Sequence, residues 1–367
     1  MLGDLLLSSD EKPTKEITIP VSRDINSKIV HLNDRATVGL TQKVNLVGER
    51  MAVAWSGDFD TAKSFIGMLA PFAVLPVIDP EIIRNVIRSL DEQTKKALHL
   101  IILIVKEDDG SGSPNYEVIS HRANGKNCGP FADVHIAGNG TGAFQELLNQ
   151  FGAAYSPLLA PPKDRQLFSM QSAVAMCAEL TGYEIASNDT IRKGWGGGFE
   201  AAYLEDGLIK KVENRLHLFF RLVSSRQDGP PHLKFLPYFN KVDYWHDVLV
   251  IRAIEHKFTK RGQLDQGRED VFLLTPIANE AADYDFSGFQ VPSLSATTVC
   301  CYIINELDEA KEALVHVVYD RSGLNVFRYQ YMDKHVHISF QNGLIMQLQE
   351  LIRQRYGVAP IFSPIGY

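Results

Sequence analysis

The chain is 367 residues long, 45% hydrophobic and 10% aromatic, with 37 basic residues against 44 acidic and a net charge of -7. That length is more than one core serves comfortably and suits two domains, while the acidic balance argues against a general polyanion binder and leaves nucleic acid out of the reading. Four cysteines, two of them adjacent at Cys300-Cys301, make no disulfide framework, no basic and apolar signal region opens the chain, and the longest apolar run, MLAPFAVLPVI, is broken by Pro71 and Pro76, so the expectation is a cytoplasmic protein without a membrane span.

After a polar lead of residues 1 to 16, ITIPVSRDINSKIVHL reads as two short strands about a turn at Asp24 to Ser27, because β-branched residues flank an Asp/Asn/Ser cluster. KVNLVGERMAVAWSGD repeats the pattern with a turn at Gly48-Glu49. The period then changes. Ala62, Phe65, Ile66 and Leu69 recur at helical spacing behind Asp58 or Asp60 as cap, and Asp79-Pro80-Glu81 starts a second helix through Ile82, Ile83, Val86, Ile87 and Leu90. HLIILIVKED and YEVISHRAN read as a strand pair, ADVHIAG as a strand, and TGAFQELLNQFG and FSMQSAVAMCAELTGYEI as helices. GWGGG has no Gly-Lys-Ser/Thr ending, so it reads as a tight turn rather than a phosphate loop, and FEAAYLEDGLIKKVE closes as a hairpin at Asp206-Gly207.

From residue 215 the chain becomes mostly strand-like, through HLFFRLVS, WHDVLVIRAIEH, DVFLLTP, ATTVCCYII, ALVHVVYD, LNVFRYQY and HVHISF, with a hairpin turn at Asp320 to Gly323. The basic stretch IRAIEHKFTKRGQLDQGR reads as a solvated loop. One helix, LIMQLQELIRQRYG, follows with Leu344, Leu348, Leu351 and Ile352 on one side. The grouping of strands and helices predicts an α+β protein of layered sheets with helices outside, not a parallel doubly wound sheet.

The run Asp34-Arg35-Ala36-Thr37-Val38-Gly39, then Lys43-Val44, then MAVAWSGDFDTA, resembles the proteasome β-subunit and its bacterial relatives among the N-terminal-nucleophile hydrolases. IAGNGTGAF resembles that family's second glycine signature, and GGGFEAAYLEDGLIKKV its last strand pair. The resemblance covers roughly residues 17 to 213. It implies a four-layer αββα sandwich over 17–214, a leader or propeptide over 1–16, and a β-rich C-terminal domain with a terminal helix over 215–367. A homo-oligomer is also implied, with the C-terminal domain as a surface for a protein partner. The implied chemistry is attack on an amide carbonyl by a threonine hydroxyl whose own freed α-amine is the base, next to a lysine, a carboxylate and a backbone N–H at the oxyanion.

Carried onto this chain, Lys43 matches the family lysine, and Gly57, fourteen residues later, the oxyanion-hole glycine. Asp34 is the candidate acid, Thr18 the candidate nucleophile once residues 1 to 17 are removed, and Thr141 or Asn139 the substitute for a supporting serine. The pattern also departs from the family. Ile17 rather than glycine precedes Thr18, Pro20 interrupts the strand, an alignment on Arg35-Ala36-Thr37 moves the nucleophile to Ile17 and the acid to Asn33, and DTIRKGWGGG lacks the supporting Asp-x-x-Ser. These departures leave a second reading open, a divergent or inactive relative acting as scaffold or sensor. No cofactor is expected. His335 and His337 share a strand face, with His246-Asp247 as a further donor pair, but no CxxC or HExxH accompanies them, and they read as packing or surface histidines.

Overall fold

The computed structural model describes residues 1–9, 19–20, 31–32, 35–107, 115–128, 133–151, 162–187, 190–225, 229–257, 264–265, 267–279, 281–308, 312–320, 326–332 and 335–363. The chain opens with β1 (Leu2–Asp4) and β2 (Leu6–Ser9), followed by β3 (His31–Leu32), β4 (Arg35–Leu40), β5 (Val44–Val47) and β6 (Met51–Gly57). Helices α1 (Phe59–Leu69), α2 (Pro80–Ser89) and α3 (Glu92–Ala97) precede β7 (Leu98–Val105), β8 (Tyr116–His121), β9 (Asn124–Asn127) and β10 (Asp133–Ile136). Then come α4 (Thr141–Phe151), α5 (Pro162–Ser187) and the hairpin β11 (Phe199–Glu205) and β12 (Leu208–Lys211). The C-terminal part holds β13 (Arg215–Val223), β14 (His232–Trp245), β15 (Val248–Glu255), β16 (Arg268–Leu274), β17 (Thr298–Asn305), β18 (Ala313–Tyr319), β19 (Phe327–Met332), β20 (His335–Phe340), α6 (Asn342–Tyr356) and β21 (Ile361–Ser363). The fold class is mixed α+β.

Side-chain alternation makes β5-β6-β7-β8, an antiparallel sheet, two-faced. Met51, Val53, Trp55, Leu98, Leu100, Ile102 and Ile104 point to a core shared with Phe65, Ile66, Leu69 and Ile83 of α1 and α2. Their neighbours Ala52, Ala54 and Val105 point the other way, onto Ala202 and Ile209 of the sheet β1-β11-β12. That second sheet turns Phe199, Ala201 and Val212 toward α5, against Val174, Cys177, Ala178 and Ile185. Asp58 caps α1 by accepting from the Thr61 N–H, and the four residues buried on that helix are Ala62, Phe65, Ile66 and Leu69, as its spacing predicts.

Beyond α5 lies the largest sheet, β16-β15-β14-β13-β17-β18, with β21 paired to β14. Phe219, Tyr238, Cys300 and Tyr302 on one face join the α5 core. Leu216, Leu218 and Phe220 on the other face pack with Phe327 of β19 and with Leu344, Leu348 and Ile352 of α6. The sheets part company near residue 214, but α5 serves both of them in one core.

Two features differ from the sequence reading, and two expected turns fall where nothing is described. The first nine residues, expected as leader, form β1 and β2; Leu5 and Leu6 are 1% and 2% exposed, and β1 pairs with β11. β14 was not anticipated, because Pro237 lies inside it, and a register shift opposite Leu218 and Phe220 accommodates the proline. The turn at Asp24 to Ser27 and all but the first residue of the Asp320 to Gly323 turn lie outside the described residues. Among the described residues, no helix is long and apolar enough to cross a membrane.

Candidate functional site

Lys43 sits where the chain enters β5, at one end of the two facing sheets. Its Nζ lies 2.6 Å from Asp4 Oδ1 on β1, with the two side chains 14% and 16% exposed. The other Asp4 oxygen accepts from the Gly196 N–H at 2.9 Å. Among the described residues, the group that Lys43 Nζ meets is thus a carboxylate, and no hydroxyl or thiol bonds to it.

Gly196 belongs to the GWGGG turn, where three consecutive glycines take φ of 108°, 78° and 105°, conformations an L side chain rarely adopts. The N–H groups of Gly197 and Gly198 donate to the two oxygens of Glu184 at 3.0 and 3.4 Å, and a Cβ on Gly196 would lie 2.9 Å from Glu184 Oε2. The Gly196 carbonyl accepts from Leu5 and Leu6, so the turn clamps the start of β2 as well. Glu184 is buried on α5, and burial pushes its carboxyl up to about 7, against the opposing pull of the two glycine N–H groups.

A second carboxylate organises the floor. Glu200 is fully buried on β11; Oε1 accepts from the Lys43 and Val44 N–H groups at 2.5 and 2.7 Å, and Oε2 from Lys211 Nζ at 2.5 Å and the Tyr244 hydroxyl at 3.3 Å. Lys211 also donates to Gln42 Oε1 at 3.2 Å and to the Val44 carbonyl, and its ammonium lies 5.3 Å from the Tyr244 ring centre. Desolvation lowers its pKa while Glu200 works to raise it. Beside it Arg215, 1% exposed, donates to the Phe199 carbonyl at 3.2 Å.

The glycine signature reaches the same end of the molecule. Thr141 Oγ1 donates to the Gly138 carbonyl at 2.6 Å, which closes the first turn of α4. A Cβ on Gly138 would stand 3.0 Å from Ser56 Oγ, and one on Gly140 would stand 3.2 Å from the Trp195 ring. A chain of contacts therefore runs from the Thr141 turn to Ser56, beside Gly57, and through Trp195 and Gly196 to Asp4 and Lys43. Thr18 and Asp34 lie outside the described residues.

Gly57 has φ of 113°, and a Cβ there would stand 2.1 Å from the Ala97 carbonyl oxygen. The close approach of β6 to the end of α3 is reason enough for a glycine. Gly57→Ala is expected to cost at least about 2 kcal/mol of stability in chemical denaturation; a variant as stable as the parent would show that the approach is not that close.

Asp4, Glu184, Glu200 and Lys211 were not singled out in the sequence. The signal that could have found the three acids is a single charge inside an apolar run, as in MLGDLLL, CAELTGYEIA and GGFEAAY. His335 and His337 lie on β20 opposite Met332 and Gln330, and among the described residues no three His, Cys, Asp or Glu side chains gather as a metal-holding group. Compared with protein-family models, with characterised proteins and with solved structures, the chain matches none.

Proposed function

We propose that the chain is a divergent relative of the proteasome-like N-terminal-nucleophile hydrolases that is not processed and acts as a scaffold or sensor whose C-terminal domain binds a protein partner. The observation that carries this reading is that the first residues, which an active relative would shed, are built into the fold: β1 pairs with β11, Leu5 and Leu6 are buried, and Asp4 holds Lys43 Nζ at 2.6 Å. The fold-level kinship is supported by the order of packed layers, with α1 and α2, then β5 to β8, then β1-β11-β12, then α5. It is supported too by the meeting of the Lys43, Gly57 and Thr141 neighbourhoods. The partner-binding role is supported by an open groove of about 620 Å³ beside α6, lined by Ile338, Phe340, Ile345 and Met346.

The competing reading is a threonine amidohydrolase or peptidase, with Thr18 as nucleophile, Lys43 and Asp34 as the activating pair, Gly57 at the oxyanion and Thr141 in support. It requires loss of residues 1 to 17, and with them β1, β2 and the buried Leu5 and Leu6, whose burial alone is worth roughly 3–6 kcal/mol. Intact-protein mass spectrometry of wild type beside Thr18→Ala, before and after a peptide electrophile that captures N-terminal threonine, decides between the two. The expected result is an unprocessed chain and no adduct in either protein. Loss of residues 1 to 17 in wild type alone, with an adduct on the new terminus, would replace the scaffold reading by the hydrolase.

A further inference from the structure

One edge of β20 runs largely without a partner. Its other edge pairs with β19 from Phe327↔Phe340 to Met332↔His335, and on the open side a single bridge, Leu264 to Val336, touches the strand near its start. Two hydrogen bonds fix which residues look outward. The Val336 N–H donates to the Leu264 carbonyl at 3.4 Å, on the open side, while the Gln341 N–H donates to the Val326 carbonyl at 3.0 Å, on the β19 side. Backbone groups alternate between the two edges of a strand, so the N–H and C=O of Ile338 and Phe340 point away from β19, and among the described residues no partner bonds to them there.

This edge is one wall of the groove beside α6. Three consecutive residues, 338 to 340, line the groove, whereas the face of a strand would contribute only every second one. The opposite wall is Asn342, Ile345, Met346 and Gln349, whose i, i+3, i+4, i+7 spacing is one face of α6. Over those seven steps the helix rises about 10 Å, the length of three extended residues. The sequence HVHISF carries neither lysine nor proline, the usual protections of a free edge.

An open ladder beside an apolar wall says what covers it. A helix fits an apolar groove but has no mid-helix N–H or C=O to spare for the edge. An extended segment satisfies Ile338 and Phe340 together and turns alternate side chains onto Ile345 and Met346, the latter 68% exposed. Among the described residues no charged side chain lines the groove, so a charge placed in it would go unpaired.

We propose that the groove binds an extended, uncharged apolar segment of a partner protein, added to β20 as a third strand of the β19-β20 sheet. The proposal rests on the partner-binding reading above and names its ligand class.

The probe is a phage-displayed library of random octapeptides selected on the full chain, with the best peptide synthesised and its affinity measured by fluorescence anisotropy. Selected peptides are expected to alternate apolar residues without charge and to bind at micromolar concentration. Met346→Lys is expected to weaken binding about tenfold or more, and Gln354→Lys, exposed on the other flank of α6, less than about twofold, with circular dichroism unchanged in both. An N-methyl scan of the peptide should show a period of two, every second amide costing about tenfold and those between less than about threefold. No peptide binding more tightly than about 1 mM would overturn the proposal. A peptide indifferent to Met346→Lys binds elsewhere, which overturns the groove and leaves the partner-binding reading standing. One weakened by Met346→Lys but showing no period in the scan is held by side chains alone, and strand addition is overturned. A wild-type dimer that Met346→Lys makes monomeric would give the groove to a second copy instead. Processing at Thr18 would remove the scaffold reading without altering any of these peptide results.

Discussion

Replacing Lys211 with methionine is expected to lower stability by about 3–5 kcal/mol, the range found when one member of a buried ion pair is removed. Methionine fills most of the volume the lysine stem occupied, so little of the loss comes from packing. The cost arises because Glu200, wholly shielded from water, keeps its N–H donors from Lys43 and Val44 and the Tyr244 hydroxyl but loses the cation 2.5 Å from its second oxygen. Glu200→Gln alone should also destabilise, by stranding the Lys211 ammonium beside Arg215, which already lowers its pKa. The double variant should recover most of the loss, since a neutral amide oxygen still accepts from both N–H groups and no buried charge is left unpaired. Chemical denaturation of the four proteins at one pH closes the cycle. A loss below about 1 kcal/mol for Lys211→Met would mean that the pair is wet and contributes little.

This pair governs the site because Glu200 fixes the backbone of Lys43 and Val44, and that in turn fixes where the Lys43 side chain can point. Gln42 locks the same segment from the other side: its Nε2 donates to the carbonyls of Asp247 and Leu274 at 2.8 and 2.6 Å, and its own carbonyl accepts from Trp55 Nε1 at 3.2 Å. A short crossing strand is thereby tied to both halves of the molecule, and Lys43 is held at their junction without being fully buried.

Elements whose stabilising partners are near in sequence were legible before the fold was known. The β5–β6 hairpin needs only its Gly48-Glu49 turn and alternation, and α1 and α6 reveal their buried stripes through helical spacing; on α6 Leu344, Leu348 and Ile352 are buried as expected, with Ile345 added to them. β1 left no such trace, because its ladder partner is β11, some two hundred residues away, and a three-residue strand has no period to read. In α2 the pattern found the helix but not its environment, since of its apolar residues only Ile83 is fully buried and Ile82 faces solvent. The site divides in the same way. Lys43 and Gly57 stand out only through the family resemblance, whose pattern falls within one hairpin, while Asp4, Glu184, Glu200 and Lys211 act through pairings across the chain and look, in sequence, like stray charges.

Glu184 supplies the test of that last point, because its burial has a sign that pH can read. Its carboxyl is raised from 4.5 to about 7 in the folded chain, so between those values the folded state holds a proton that the unfolded state has released. The stabilisation from keeping it neutral is therefore complete below about pH 4.5 and is lost as pH rises through about 7, a change of roughly 3 kcal/mol at 1.4 kcal/mol per pKa unit. The groups facing it are the Gly197 and Gly198 N–H donors, which favour the charged form, and Asp4, which disfavours it. Other groups titrate across the same range, among them His256, lowered by burial, and Glu213, raised by it. Glu179, also on α5, is pushed up to about 7 by burial and acts in the same direction. His217, lowered to about 3 by burial beside Arg215, acts in the opposite one, because its neutral form is lost from the unfolded state as pH falls below 6.5. The total stability curve mixes all of these, whereas the difference between wild type and Glu184→Gln isolates the one. The glutamine mimics the protonated acid and still offers an oxygen to the Gly197 N–H, so the two proteins should be equally stable at about pH 4 and the variant should be more stable by roughly 3 kcal/mol at pH 8. Denaturant midpoints at half-unit pH steps measure the gap directly. A gap that stays constant within about 1 kcal/mol across the range would mean that Glu184 is already ionised at pH 5 and that the glycine turn, rather than burial, sets its charge.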